Sequence, residues 1–342
     1  MTPFRVVMTF AYPGMPHDEE AYRKIGAEFV TIPCQTEDEI ISATQDANAV
    51  ITILQPFTRK VIESLNKCKL IHNMGLGYEG IDIEAATECG ICVSYPGGYC
   101  VEEVSDHTMA LILACARKLL QVDRAVRAGK WDSFEKREMR LKVWPPMFRI
   151  RGQTLGLIGF GLIPRTLVPK TKGFGLRIIA YDPYVPSSIL EQLGVEAVSL
   201  DYLLQESDYV SVHAALTPET KHMLSKEQFK KMKPTAYIIN TARGGLIDEQ
   251  ALYDALAGGD IAGAGLDILQ TEAVGLEHPL LKLKNVILTA HSAHYSEQSA
   301  FEIRRRPYEE IARVIQGKWP QWLLNPQVKE KFTKRWGELL RD

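Results

Sequence analysis

The chain has no apolar run approaching the ~20 residues that a membrane-spanning helix requires, so no segment reads as a span. It has no charge excess either. Against 42 Asp and Glu stand 40 Lys and Arg, a formal net charge of −2. That balance offers no field to nucleic acid or to an anionic membrane surface, and neither is expected as a partner. The opening MTPFRVVMTFAYPGMPHDEE lacks the basic-then-apolar order of a secretory signal, so a cytoplasmic location is the expectation. Cysteine is sparse: six in 342 residues, at 34, 68, 89, 92, 100 and 115. Free thiols are expected in such a chain. Cys89 and Cys92 form one C-x-x-C. However, ECGICVSY reads as a helix end running into a strand, and no second pair follows. Packing thiols are expected there, and no metal site.

What the sequence does have is alternation. In the first hundred residues the β-rich runs RVVMTFA, EFVTIP, AVITIL, KLIHNMG and ICVSYP alternate with helix-like HDEEAYRKIG, TEDEIISATQD, TRKVIESLN and DIEAATECG. This βαβ rhythm predicts a parallel sheet covered by helices. The stretch EEVSDHTMALILACARKLLQVDRAVRAG follows and predicts one long helix, apolar nearly all round at MALILACA. Such a helix belongs between domains or subunits. A second series of strands begins at Thr154: TLGLIGFG, LRIIAYD, AVSL, YVSVHAA, AYIINTAR, GAGLDIL and VILTAH. The fold class is therefore α/β, with two doubly wound parallel sheets. From Ser296 the chain returns to helix, and KEKFTKRWGELLRD suits one further amphipathic helix.

GFGLIPRTLVPK opens the second series, with Gly159 and Gly161 in place but Pro164 where a third glycine is usual. A phosphate site at this point is built from backbone N–H groups at a helix N-terminus. Gly159 permits the tight turn, Gly161 admits the pyrophosphate, and the amides of Leu162 and Ile163 bind it. Pro164 falls in the first turn, where its missing N–H has no intrahelical role. Pro169 lies deeper and is expected to kink the helix. Asp182 ends the next strand. There its carboxylate can accept from a ribose 2′-OH and repel a 2′-phosphate, which predicts NAD over NADP. The plain alternative is an Asp that ends a strand before Pro183.

In an open α/β sheet the ligand lies at the carboxyl ends of the strands. The later strands deliver His213 and Ala214, then Thr241, Ala242 and Arg243, then Asp267 with Glu272 beyond it, then His291. The first of these, with Asp267 and His291, are expected to line a cofactor. Arg243, Glu272 and His291 suit hydride transfer to a 2-oxo acid. Arg243 forks onto the carboxylate and carbonyl. His291 gives or takes the proton, and Glu272 orients the imidazole. Taken singly, each also fits an ordinary ion pair, strand-end histidine or solvated acid.

At these residues the sequence resembles the NAD-dependent D-2-hydroxyacid dehydrogenases. The matching pieces are GLGYEGIDIEAATECGICV, EEVSDHTMALILACARKL, TLGLIGFG, NTARGGLIDEQALYDALAGGDIAGAGLDIL and HPLLKLKNVILTAH. The resemblance implies a flavodoxin-like substrate-binding domain of residues 1–105 and 298–342 around an inserted Rossmann NAD domain of 106–297. It implies that Arg243 binds substrate, that Glu272 and His291 form the acid/base pair, and that Asp267 lies by the nicotinamide carboxamide. It further implies that the amides of Leu76 and Gly77 receive the substrate carboxylate, and that the chain forms a homodimer. His294 lies three residues beyond His291, in the connection back to the substrate domain, where it can reach the far end of the substrate or pack at the hinge. YCVEEVSDH and HSAHYSEQS look closest to the branch related to C-terminal binding proteins. Two readings therefore stand: a dehydrogenase of a small 2-hydroxy or 2-oxo acid, and an NAD-sensing binding or corepressor-like protein on the same scaffold. A narrower form of the first turns the site to an unusual acid. The segment KWDSFEKREMRLKVWPPMFRIRG is longer than the family's usual link. Its Trp144, Met147 and Phe148 suit a pocket cap or a subunit contact, or a surface loop with its own small core.

Overall fold

A computed structural model describes residues 3–11, 19–131, 142–271, 274–337 and 340–341. The chain divides into two compact units, Met1–Tyr99 with Ser296–Asp342, and Cys100–Tyr295.

The first unit carries strands β1 (Phe4–Met8), β2 (Ala27–Thr31), β3 (Ala49–Thr52), β4 (Leu70–Asn73) and β5 (Cys92–Ser94), alternating with helices α1 (Glu19–Lys24), α2 (Glu37–Thr44), α3 (Arg59–Ser64) and α4 (Ile83–Glu88). The order β2-β1-β3-β4-β5 is parallel throughout. Successive side chains go to opposite faces. Val6, Leu70 and Cys92 join a core with Ile303, Ile311 and Val314 of the helix Glu297–Ile315. Their neighbours Val7, Ile71 and Val93 join Ile40, Ile62 and Ala85 on the other face. Burial on both faces is why these strands read as unbroken apolar runs. Thr36 starts α2 as a capping box with Glu39. The expected amphipathic tail helix is present as Lys329–Trp336, anchored by Phe332.

The second unit begins with α5 (Val101–Ala116) and α6 (Leu119–Ala125). The single long helix read from the sequence is in fact two, because Lys118 takes a left-handed conformation at φ 50°. Nor is α5 buried all round. It buries Val104, Thr108, Met109, Leu111, Ile112 and Cys115 on one face, while α6 buries none and leaves Leu119 and Leu120 exposed. Strands β6 (Thr154–Ile158), β7 (Arg177–Tyr181), β8 (Glu196–Ala197), β9 (Tyr209–Val212), β10 (Tyr237–Asn240), β11 (Gly263–Leu266) and β12 (Val286–Leu288) alternate with α7 (Leu162–Lys172), α8 (Ser187–Gln192), α9 (Leu200–Glu206), α10 (Lys226–Phe229) and α11 (Glu249–Gly258). They form one parallel sheet, β12-β11-β10-β9-β6-β7-β8. Pro169 lies inside α7, which continues as α-helix to Lys172. Trp131, Trp144 and Phe148 are exposed and Met147 is half-buried; residues 132–141 lie outside the described residues. All six cysteines are free thiols. No described helix is long and apolar enough to cross a membrane, and no group of side chains among the described residues suits a metal ion.

Candidate active site

Strand order converts a scattered residue list into a line. Along the carboxyl rim of the second sheet stand His291 beyond β12, Asp267 beyond β11, Thr241–Arg243 beyond β10, His213–Ala214 beyond β9, Gly159–Ile163 beyond β6, and Asp182 beyond β7. Strands lie about 4.8 Å apart, so β6 to β12 spans about 19 Å. Chain order reverses on either side of β6, which is the topological switch point where such sheets bind nucleotides.

The two glycines of the turn there answer to different constraints. Gly159 has φ +89°, and a Cβ on it would lie 2.8 Å from both Ala214 N and His213 C. It is confined by protein. Gly161 has no neighbour within 4 Å of where a Cβ would stand. It leaves open the space in front of α7. Gly161 caps α7 without any side-chain hydrogen bond, and no acid occupies the first turn. The amides of Leu162 and Ile163 therefore head an uncapped helix with its positive dipole end outward. Pro164 is buried in that turn and removes no needed donor. These features fit a dinucleotide pyrophosphate. Asp182 braces the turn: Phe160 N–H donates to Oδ2 at 2.7 Å, and Tyr184 N–H donates to Oδ1 at 2.9 Å. The carboxylate retains acceptor capacity for ribose hydroxyls. His213 is paired through Nε2 with Ser211 Oγ at 2.8 Å, and desolvation lowers its pKa to about 3, so it is neutral at physiological pH.

At the other end, His291 lies in a strained turn. Ala290 and His291 are both left-handed, with φ 51° and 53°. Each such non-glycine residue costs roughly 1–3 kcal/mol and persists only where its surroundings impose it. Here the buried Asp267 imposes it. Its Oδ1 accepts from Thr289 Oγ1 at 2.6 Å and from Ser292 N at 2.9 Å, its Oδ2 accepts from Ala293 N at 3.0 Å, and its backbone O accepts from His291 N. His294 stands edge-on to His291, ring centroids 5.6 Å apart. Arg243 is held by its own turn: Asn240 Nδ2 donates to its carbonyl at 2.9 Å, and its Nη1 donates to Ala242 O at 2.7 Å. Glu272 lies outside the described residues.

In the first unit, Leu76 and Gly77 follow β4 in a loop tied by Asn73, whose Nδ2 donates to Gly75 O and Gly77 O at 2.8 Å each. Sequence reasoning passed over the half-buried Gln55 clamp, which joins Thr9, Thr52 and Cys34 at the same rim. It also passed over His72, fully buried and bonded to Ser94 at 2.8 Å, with desolvation lowering its pKa to about 3. Neither residue carries a motif; only the register of the strands brings the partners together.

A doubly wound sheet with a glycine turn at its switch point, an uncapped helix beyond it and a carboxylate at the end of the next strand is the arrangement of a dinucleotide-binding domain. The sequence profile of the D-isomer specific 2-hydroxyacid dehydrogenase NAD-binding domain matches residues 109–293. The chain is 38% identical over 294 residues to a glyoxylate reductase of Korarchaeum cryptofilum, covering 84% of this chain and 86% of that one. Among solved structures, a glyoxylate reductase from Paecilomyes thermophila superposes with TM-score 0.83 at 26% identity, covering 96% of this chain and all (100%) of that one. A D-lactate dehydrogenase from Aquifex aeolicus, complexed with NAD and lactic acid, superposes with TM-score 0.78 at 27% identity over 92% and 96% of the two chains. The chain belongs to the D-isomer specific 2-hydroxyacid dehydrogenases, NAD-dependent enzymes that act on a CH–OH group.

Proposed function

We propose that this enzyme reduces a small 2-oxo acid with NADH, and that glyoxylate is the first substrate to try. The observation that carries the reading is the strained, Asp267-fastened turn. It holds an imidazole on the same rim as the glycine turn, with Arg243 between them in strand order. NADH, when bound, supplies the hydride to the carbonyl carbon. The chain's residues do the rest. Arg243 binds the acid through its carboxylate and carbonyl oxygens. His291 donates the proton that the carbonyl oxygen takes up, or accepts it in the reverse direction. Glu272 orients His291. The first unit is the substrate-binding domain, with the Leu76 and Gly77 amides receiving a carboxylate. The second unit is the NAD domain. His213, Ala214, Thr241, Ala242 and Asp267 line the cofactor, and His294 faces the substrate. The glyoxylate reductases among the relatives support the choice of acid. The working form in this reading is a cytoplasmic homodimer.

The test is a panel of 2-oxo acids with NADH, followed at the nicotinamide absorbance, on wild type, His291→Ala and His294→Ala. His291→Ala should lose about 10²–10⁴-fold in kcat with NADH binding nearly intact, as for any lost general acid. His294→Ala should chiefly raise KM or change the preferred acid. If His294→Ala is the dead variant and His291→Ala keeps its rate, the acid/base assignment is wrong. NADH binding with no acid reduced would return the chain to the binding-protein reading.

A further inference from the structure

His107 lies on α5, far in sequence from every residue of the rim. Its Nε2 is 2.8 Å from Thr289 Oγ1, a contact across 182 residues, and 3.6 Å from Asp267 Oδ1. The direction of the bond follows from the partners. Asp267 is an acceptor, so the Thr289 hydroxyl spends its proton on Oδ1 at 2.6 Å. Thr289 must then accept from His107 Nε2–H. Asp267 itself is only 3% exposed and serves Ser292 and Ala293 on the same turn. The imidazole therefore supplies the donor that completes the Thr289–Asp267 clamp, and the clamp holds Ala290 and His291 left-handed. The next residue, Thr108, shares a hydrogen bond at 2.9 Å with Thr241, two residues before Arg243. One turn of α5 thus reaches both loops that carry the proposed chemistry.

We propose that His107 is a positioning residue for His291, acting through Thr289 and Asp267 to hold the strained turn in its reactive conformation. This rests on the role of His291 stated above. Two variants of similar volume separate the hydrogen bond from packing. His107→Leu removes the donor, and His107→Gln puts an amide N–H in reach of Thr289. With NADH and glyoxylate, His107→Leu should lower kcat roughly five- to tenfold, the scale of one lost hydrogen bond, with KM for NADH unchanged within twofold. His107→Gln should recover most of that rate. In parallel, exchange of the Ser292 and Ala293 amides in the NAD-bound protein should quicken several-fold in His107→Leu and return in His107→Gln, while amides of β10 and β11 stay protected.

Equal kcat in wild type and His107→Leu overturns the proposal, and so does an equal effect of Leu and Gln. Faster exchange without a change in kcat also overturns it, because the clamp would then be structural only. If the wild type reduces no 2-oxo acid, the reading of the site fails instead. The exchange arm still decides whether His107 holds the turn: unchanged exchange in His107→Leu refutes it.

Discussion

Gly159→Ala and Gly161→Ala should fail in opposite ways, although the residues are two apart on one turn. At Gly159 an alanine must sit at φ +89° with its methyl carbon 2.8 Å from Ala214 N and His213 C. A left-handed alanine costs about 1–2 kcal/mol. Overpacking against fixed backbone adds roughly 1–3 kcal/mol. The sum, about 2–5 kcal/mol, lowers Tm of a unit of this size by roughly 4–20 °C, and it does so without cofactor. Gly161 has φ −78°, open to any residue, and nothing within 4 Å of the new methyl. Its alanine variant should melt no lower than wild type and at most about 4 °C above it, since the restricted unfolded chain favours alanine by up to ~1 kcal/mol. The methyl would occupy the open space in front of α7, where the proposed site puts the pyrophosphate. An overpacking cost at the low end of the same range, about 1.4 kcal/mol, raises Kd for NADH tenfold. Thermal unfolding of the two apoproteins and NADH fluorescence titration read both effects. An unchanged Kd in Gly161→Ala would refute the placement of phosphate before α7. An unchanged apoprotein Tm in Gly159→Ala would refute the backbone contact.

The proposed site gives Asp182 two separable tasks, to hold the Phe160 amide and to face the ribose 2′ position. Asp182→Asn keeps an acceptor for Phe160 N–H and drops the charge, so it should narrow the preference for NADH over NADPH with little change in Tm; Asp182→Ala should narrow it and also lower Tm by orphaning the amide, a loss of about 1–3 kcal/mol. Wild type that uses NADPH as readily as NADH would sink the charge argument. His72 gives a pH signature: its pKa is lowered by burial to about 3 from an ordinary 6.5, so the unfolded chain takes up the proton first as pH falls. Its contribution to stability is complete above pH 6.5 and is lost progressively below it, about 2 kcal/mol by pH 5. Unfolding free energies from urea titrations of wild type and His72→Gln at pH 7.5 and 5 should diverge by that amount, and parallel lines for the two proteins contradict it.

The sequence made the strands legible because each runs between two helical layers and is apolar on both faces, as Val6 and Val7 or Leu70 and Ile71 are. The break between α5 and α6 was hidden. Neither glycine nor proline marks it, and Lys118 adopts its left-handed conformation in a stretch whose composition is helical throughout. Pro169 shows how little a single proline says about where a helix ends: α7 continues three residues past it, to Lys172.

The rim residues were legible for a topological reason. Every parallel strand ends on the same edge, so a residue just past a strand is placed once the strand is found. What holds those residues was not legible. Asp182 was weighed as a ribose ligand against a strand-ending aspartate, yet its two oxygens fasten both the glycine turn and its own turn. A carboxylate with several acceptor sites need not choose between them. Asp267 is the sharper case. Its position suggested a cofactor residue, while its hydrogen bonds to Thr289, Ser292 and Ala293 fasten the turn that carries His291. The donor that completes that clamp comes from α5, where His107 is one polar residue among several on a partly buried helix. Periodicity assigns such a residue a face. It cannot assign a partner 182 residues away. The residues along the rim of a parallel sheet can therefore be read at strand ends, while the hydrogen bonds that hold them emerge only when the helices are laid across the sheet.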